Sequence, residues 1–236
     1  MTEIENKIIL PKTAIKATEK NPPVLVLYGP PKVGKTTLLA QLENNLILDM
    51  EQGTRMVDAL KVEINELRDI ADVGKVILQE KKPYKYISVD TVDKLETFCE
   101  EAATILYKSS PAGASFTGKS VLELPSGAGY RWLRIAMRKY LDYLKSLADY
   151  LILVGHVRDK NLTKNGKEVS SKGLDLTNGV SNIVCSDASA IGYVYRSPEG
   201  ELRVSFQTSE EIICGTRCKH LINADLPFKW ESIYIS

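Results

Sequence analysis

The string GPPKVGKTT, Gly29 to Thr37, carries two glycines, a lysine and two threonines at the spacing G-x-x-x-x-G-K-[ST]. Gly29 and Gly34 let the chain curl until successive backbone N–H groups face one anion, and a helix opening behind the loop adds its partial positive charge. Lys35 is placed to bridge the outer phosphates of a nucleoside triphosphate, and Thr36 to ligate Mg²⁺. The expected ATP cradle is therefore Gly29, Pro30, Pro31, Lys32, Val33, Gly34, Lys35, Thr36 and Thr37. Such a string arises by chance in on the order of 1% of chains this long. A glycine-rich turn with a surface lysine is the poorer explanation.

A bound phosphate–metal pair needs acids around it. YISVD brings Asp90 to the carboxyl end of an apolar run, where open α/β sheets place their ligands. Asp90 can orient the metal's water, and it can also cap the helix expected from TVDKLE. Asp93 reads as a first-turn helix acid. LILDMEQG begins like a buried strand yet ends in Asp49 and Glu51, on one face if the strand's period of two continues. Glu51 is expected to take a proton from an attacking water, with capping of the following turn as the alternative. Asp49 is expected to be held by backbone donors. LILVGHVRDK sets His156 just beyond another apolar run. In contact with a γ-phosphate it would sense hydrolysis, although a lone histidine is more often a structural residue.

These side chains need a sheet to position them. VLVLY is a short continuous apolar run, the pattern of a parallel strand covered on both faces. NNLILDM, YKYISVD and YLILVG repeat it, with helical periodicity between them in KTTLLAQLE, ELRDIADVGKVILQE, TVDKLETFCEEAATILYK and GYRWLRIAMRKYLDYLKSL. ASAIGYVYRSPEGELRVSFQ reads as a hairpin turning at SPEG. Strand–helix alternation with this antiparallel tail predicts an α/β fold with a mostly parallel central sheet flanked by helices. Residues 109–128 and 156–179 read as two long polar loops. Residues 1–22 read as a polar lead-in and 23–236 as one domain.

The arrangement resembles the RecA-type recombinase core, and within it the short phage-encoded proteins that anneal or exchange single-stranded DNA. The resemblance runs from Val24 to the region of Arg217. It implies a RecA-like P-loop ATPase, in which LDMEQG ends in the catalytic glutamate, Glu51, and ISVDTVDKL carries the metal-site acid, Asp90. His156 stands where the family has a glutamine sensor. SGAGYRWLRIAMRKYLDYL resembles the first DNA-facing loop and its helix, and residues 157–181 fall where the second DNA loop lies. IICGTRCKHL follows the hairpin where relatives carry a basic residue reaching the neighbouring subunit's γ-phosphate, which implies Arg217 or, failing that, Lys219. The family's lysine-rich signature is not reproduced there. A homo-oligomer, ring or short filament, follows from the resemblance, as does work beside a single-strand-binding protein.

The residues add their own support for single-stranded DNA. Arg158, Lys160, Lys164, Lys167 and Lys172 outnumber Asp159 and Glu168 in one segment, while the other offers Lys119 and Arg131 among Tyr130 and Trp132. Cations neutralise phosphates and aromatic faces stack bases whatever their sequence. The bland alternative is two solvated loops whose aromatics pack on the body. Whole-molecule charge adds no pull, at 31 basic and 30 acidic residues. Cys185, Cys214, Cys218 and His220 form a conceivable zinc set, but the paired spacing is not repeated and strand side chains alternate faces. Cys99 reads as core. The expected reaction is DNA-stimulated ATP hydrolysis in recombination, in the cytoplasm and off the membrane. The alternatives are a P-loop nucleotide kinase and a non-catalytic nucleotide switch or helicase loader.

Overall fold

The computed structural model describes residues 10–164, 167–209 and 211–236, with side chains outside 160–169. Residues 10–20 run without helix or strand and are exposed. The chain then enters β1 (Val24–Gly29), every residue of which is buried. Next come α1 (Lys35–Ala40), β2 (Asn45–Asp49), β3 (Lys61–Glu63), α2 (Leu67–Gln79), β4 (Tyr86–Asp90) and α3 (Val92–Lys108). Three short turns lead to α4 (Gly129–Lys145), followed by β5 (Tyr150–Lys164), β6 (Lys167–Leu174), α5 (Asn178–Asp187), β7 (Ala190–Arg196) and β8 (Leu202–Ser205). The short β9 (Gly215–Thr216), β10 (Asp225–Pro227) and α6 (Trp230–Ile233) complete it.

The sheet order is β10-β8-β7-β1-β5-β4-β2-β3. Pairing is parallel from β7 through β3, and β8 and β10 add antiparallel strands at one side. The expected α/β architecture, with an antiparallel hairpin toward the C-terminus, is the one observed. Its two faces differ. One is covered by α2, α3, α4 and α5 through residues such as Val26, Ile70, Leu95 and Leu133. The other is covered by the short α1 and the C-terminal segment, through Leu25, Leu39, Trp230 and Ile233. Trp230 Nε1 donates to Leu38 O at 2.8 Å, tying the tail to the helix behind the phosphate loop. Among the described residues no helix is long and apolar enough to cross a membrane.

Register sets the functional rim. Asp49 stands beside Asp90 and Asp90 beside Val154, while Tyr28 pairs with Gly155 and Gly29 with His156. Four strand ends therefore meet at one edge, so residues distant in sequence converge without any long loop having to carry them.

The segment 156–179 departs from the expected long loop. β5 continues past the sheet to Lys164 and returns as β6, an antiparallel hairpin in which Val157 pairs with Leu174 and Lys164 with Lys167. Residues 178–187 then form α5. The reason lies in the chain itself. Asn165-Gly166, a strong hairpin dipeptide, lies between two polar runs in the sequence.

Candidate nucleotide site

Gly34 has φ +117°, a left-handed conformation that the loop needs just before α1 and that side chains resist. Behind it Lys35 is buried, and its ammonium folds back onto Gly29 O at 3.0 Å and Pro30 O at 2.8 Å. Burial holds its pKa below the ordinary lysine value, with Asp90, Asp93 and Glu51 pulling the other way. A cation satisfied only by carbonyls, next to a curl of N–H groups, suits an arriving anion.

Thr36 Oγ1 donates to Asp90 Oδ2 at 2.7 Å. Burial raises the Asp90 carboxyl above its usual range, and the Thr36 bond opposes that shift. Asp90 does not cap α3, because Thr91 occupies the N-cap position. A hydroxyl and a buried carboxylate side by side are a hard-oxygen pair that fits Mg²⁺.

Asp49 and Glu51 part company where the strand ends, so the single face expected for them does not persist. Asp49 turns inward and accepts from the N–H groups of Glu51, Gly53 and Thr54 and from the Thr54 hydroxyl, at 2.5–3.2 Å. Glu51 is exposed, receives Thr91 Oγ1 at 2.9 Å, and lies on the cleft shared with Lys35, Thr36, Asp90 and His156, whose volume is 340 Å³. Pro31, Lys32, Gly34, Thr37 and Thr91 complete its wall, while Val33 is buried in the core beneath. A cleft of this size and polarity suits a phosphorylated ligand.

Asp93 exceeds the first-turn role expected for it. Its carboxylate accepts the backbone N–H of His156 at 3.2 Å and lies 2.9 Å from ring Nδ1. Only the fold reveals this pairing, since 63 positions separate the two residues. Its neighbour on α3, Glu96, takes the Thr177 hydroxyl at 2.6 Å and the Thr177 N–H. The start of the hairpin at His156 and the N-cap of α5 that follows it are thus held by acids one turn apart on a single helix.

A second cleft, of 410 Å³, joins the start of α4 to the start of α5 and is lined by Tyr130, Arg134 and Thr177–Val180. Tyr130 is 42% exposed there, and Arg131 is exposed beside it. Arg134 was missed by sequence reasoning, and its place one turn beyond Tyr130 was the available signal. The sequence offers Trp132 as a base-stacking ring. It is half-buried and meets the Tyr107 ring edge-on at 5.4 Å, because its helical position turns it toward α3. Lys119 is exposed along the outer side of α3, beside Glu100 and Glu101. Arg158 pairs with Asp175 at 3.5 Å, and the Lys172 ammonium sits over the Tyr193 ring at 5.7 Å. The side chains of Lys160, Lys164 and Lys167 lie outside the described residues.

Arg217 follows β9, which pairs with Ala190 and Ile191 at the start of β7. That is the end of the sheet opposite the phosphate loop. Its guanidinium donates to Ser186 O at 3.1 Å, and Lys219 is exposed nearby. Among the described residues, the one group of three ligating side chains close enough for a metal is Glu51, Asp93 and His156. Cys185, Cys214, Cys218 and His220 form no such group: Cys214 Sγ meets Gln207 O and His220 Nε2 meets Ile233 O. Cys99 is buried against Met137, and burial pushes its thiol up to about 12.

No curated protein matches the chain. Among solved structures, a KaiC-like protein from the archaeon Pyrococcus horikoshii is 14% identical, with 87% of this chain and 84% of that one covered and a TM-score of 0.48. The RadB recombinase is 15% identical, with 78% and 80% covered and a TM-score of 0.44. Residues 21–218 match the family described as AAA domain, and the protein belongs to that family.

Proposed function

We propose that the protein is an Mg²⁺-dependent ATPase whose turnover is coupled to single-stranded DNA, acting in recombination. One observation carries the reading. Lys35, Thr36, Asp90, Glu51 and His156 come from the carboxyl side of four parallel strands and line one cleft. ATP enters with its phosphates on the loop amides, and Lys35 leaves Gly29 O and Pro30 O for the terminal phosphates. Mg²⁺, held by Thr36 with Asp90 behind it, supplies neutralising charge on those phosphates. Glu51 takes a proton from a water whose oxygen bonds to the γ-phosphorus, and the bridging oxygen departs with ADP. His156 meets the γ-phosphate through a bridging water, and the loss of that contact is felt at the root of the hairpin.

The DNA half of the reading is supported by where the cations and the free ring lie. Tyr130 lines the 410 Å³ cleft with exposed Arg131 beside it in sequence, and Arg158 and Lys172 lie on the hairpin that continues β5 beyond His156. Arg217, remote from its own cleft, is suited to reach a neighbouring copy's nucleotide. Residues 23–236 act as one ATPase domain behind a short lead-in. The test is ATP hydrolysis measured with and without single-stranded DNA, beside a sizing measurement with non-hydrolysable ATP. Faster turnover with DNA and a larger species with ATP are expected. An identical rate with no DNA binding at low salt would end the DNA reading, and phosphate passed to a nucleotide instead of water would make the protein a kinase.

A further inference from the structure

Asp93 divides its two carboxylate oxygens between two atoms of one residue. Oδ1 accepts from the backbone N–H of His156 at 3.2 Å, and Oδ2 lies 2.9 Å from ring Nδ1. Glu51 Oε1 approaches the same ring nitrogen, at 4.0 Å. A nitrogen faced by two carboxylates is stable only as a donor, so the proton belongs on Nδ1. Nε2 is then the nitrogen left for the cleft that His156 lines with Lys35 and Thr36. Gly155 sits in a crowded place. A Cβ there would come within 2.4 Å of Leu174 Cδ1, 3.1 Å of Val92 Cγ1 and 3.4 Å of Asp93 Oδ1. A side chain there would have to displace the Leu174 tip and crowd Val92, while meeting Asp93 only at ordinary contact distance. An acid needed only for the helix dipole would not require the ring contact.

We propose that Asp93 is a positioning residue for ATP turnover: it fixes the ring angle and tautomer of His156, so that Nε2 faces the terminal phosphate as an acceptor and meets it through a water that donates to both. The proposal rests on the reading of the cleft as an ATPase site. Asp93 does not touch the nucleotide. It acts through the imidazole, and through the same carboxylate it anchors the backbone where β5 leaves the sheet.

The chain has two histidines, so long-range ¹H–¹⁵N imidazole spectra distinguish His156 from His220. Wild-type protein should show His156 with its proton on Nδ1. A neutral Nε2–H form in the wild type would overturn the assignment without any variant having to fold. Asp93→Asn should lower kcat about 10- to 100-fold, the range typical when a partner orienting a functional histidine is removed, with the KM for ATP nearly unchanged. In a His156→Gln background there is no tautomer to fix, and the same replacement should change kcat little. Equal losses in both backgrounds, or an unaltered kcat in Asp93→Asn, would overturn the proposal. Wild-type protein that turns over no ATP under any condition removes the ATPase reading and this proposal with it. An active wild type showing one of the failures above removes the proposal alone.

Discussion

Asp49 and Asp90 end neighbouring parallel strands, pair in register, and are 1% and 4% exposed. Their surroundings nevertheless differ. Asp49 is met by three backbone N–H groups and a hydroxyl, all from the turn that follows it. Asp90 is met by the Thr36 hydroxyl, and burial holds its carboxyl above the usual range. The first acid is consumed in building the turn that delivers Glu51 to the cleft. The second keeps its remaining acceptor capacity at a cost in stability, which is the condition of a group reserved for a ligand.

Substitutions at this pair and its neighbours can break or sharpen that contrast. The largest effect is expected at the residue Asp49 delivers. Glu51→Gln should reduce kcat about 10²- to 10⁴-fold, with ATP binding retained in calorimetry. Unchanged turnover would detach Glu51 from the chemistry. Asp49→Ala should leave buried donors unpaired and destabilise the fold by about 3 kcal/mol, roughly 6–12 °C of Tm. Its ATPase activity should fall too, because the turn carrying Glu51 loses its anchor. If Asp49→Ala melts like wild type, the two tips are not different in kind.

Asp90→Asn should do the opposite, raising the Tm of the nucleotide-free protein by roughly 2–4 °C, about 1 kcal/mol, while abolishing its response to Mg²⁺–ATP. The pH dependence has a definite sign. A carboxyl raised by burial contributes fully below the ordinary carboxylate range and loses that contribution as pH climbs through its raised value. The Tm gap between variant and wild type should therefore open as pH rises from acid toward neutrality. The smallest effect extends the contrast to the second cleft. Tyr130→Ala should weaken single-stranded DNA binding by about 1 kcal/mol and leave Tm alone, whereas Trp132→Ala, which removes a ring packed on Tyr107, should lower Tm first.

What could be read in the sequence follows the same division between local and tertiary causes. The phosphate loop was legible because its chemistry is fixed by backbone curl within nine residues. β1, β2 and β4 were legible because burial on both faces demands unbroken apolar runs. Asp49's structural role followed from its strand-end position. The hairpin of β5 and β6 was not, because its sequence shows no apolar alternation, and its one signal, Asn165-Gly166, lay inside a polar run. α5 overlaps that loop reading only at its first two residues, and 180–187 were given no element. The bond from Asp93 to His156 and the burial of Trp132 depend on how α3 and α4 pack, which no local pattern encodes.

β5 does not stop where the core ends. Residues 157–164 carry it outward by about 26 Å, at about 3.3 Å per residue. His156 therefore sits at the fulcrum of a lever whose short arm touches the nucleotide cleft and whose long arm is paired with β6. A tilt of about 10° at the fulcrum would sweep the far end through about 4–5 Å, comparable with the ~3.4 Å axial step between successive nucleotides of one strand. On the DNA-coupled reading proposed above, the loss of a single phosphate contact is magnified along this arm to roughly one nucleotide step.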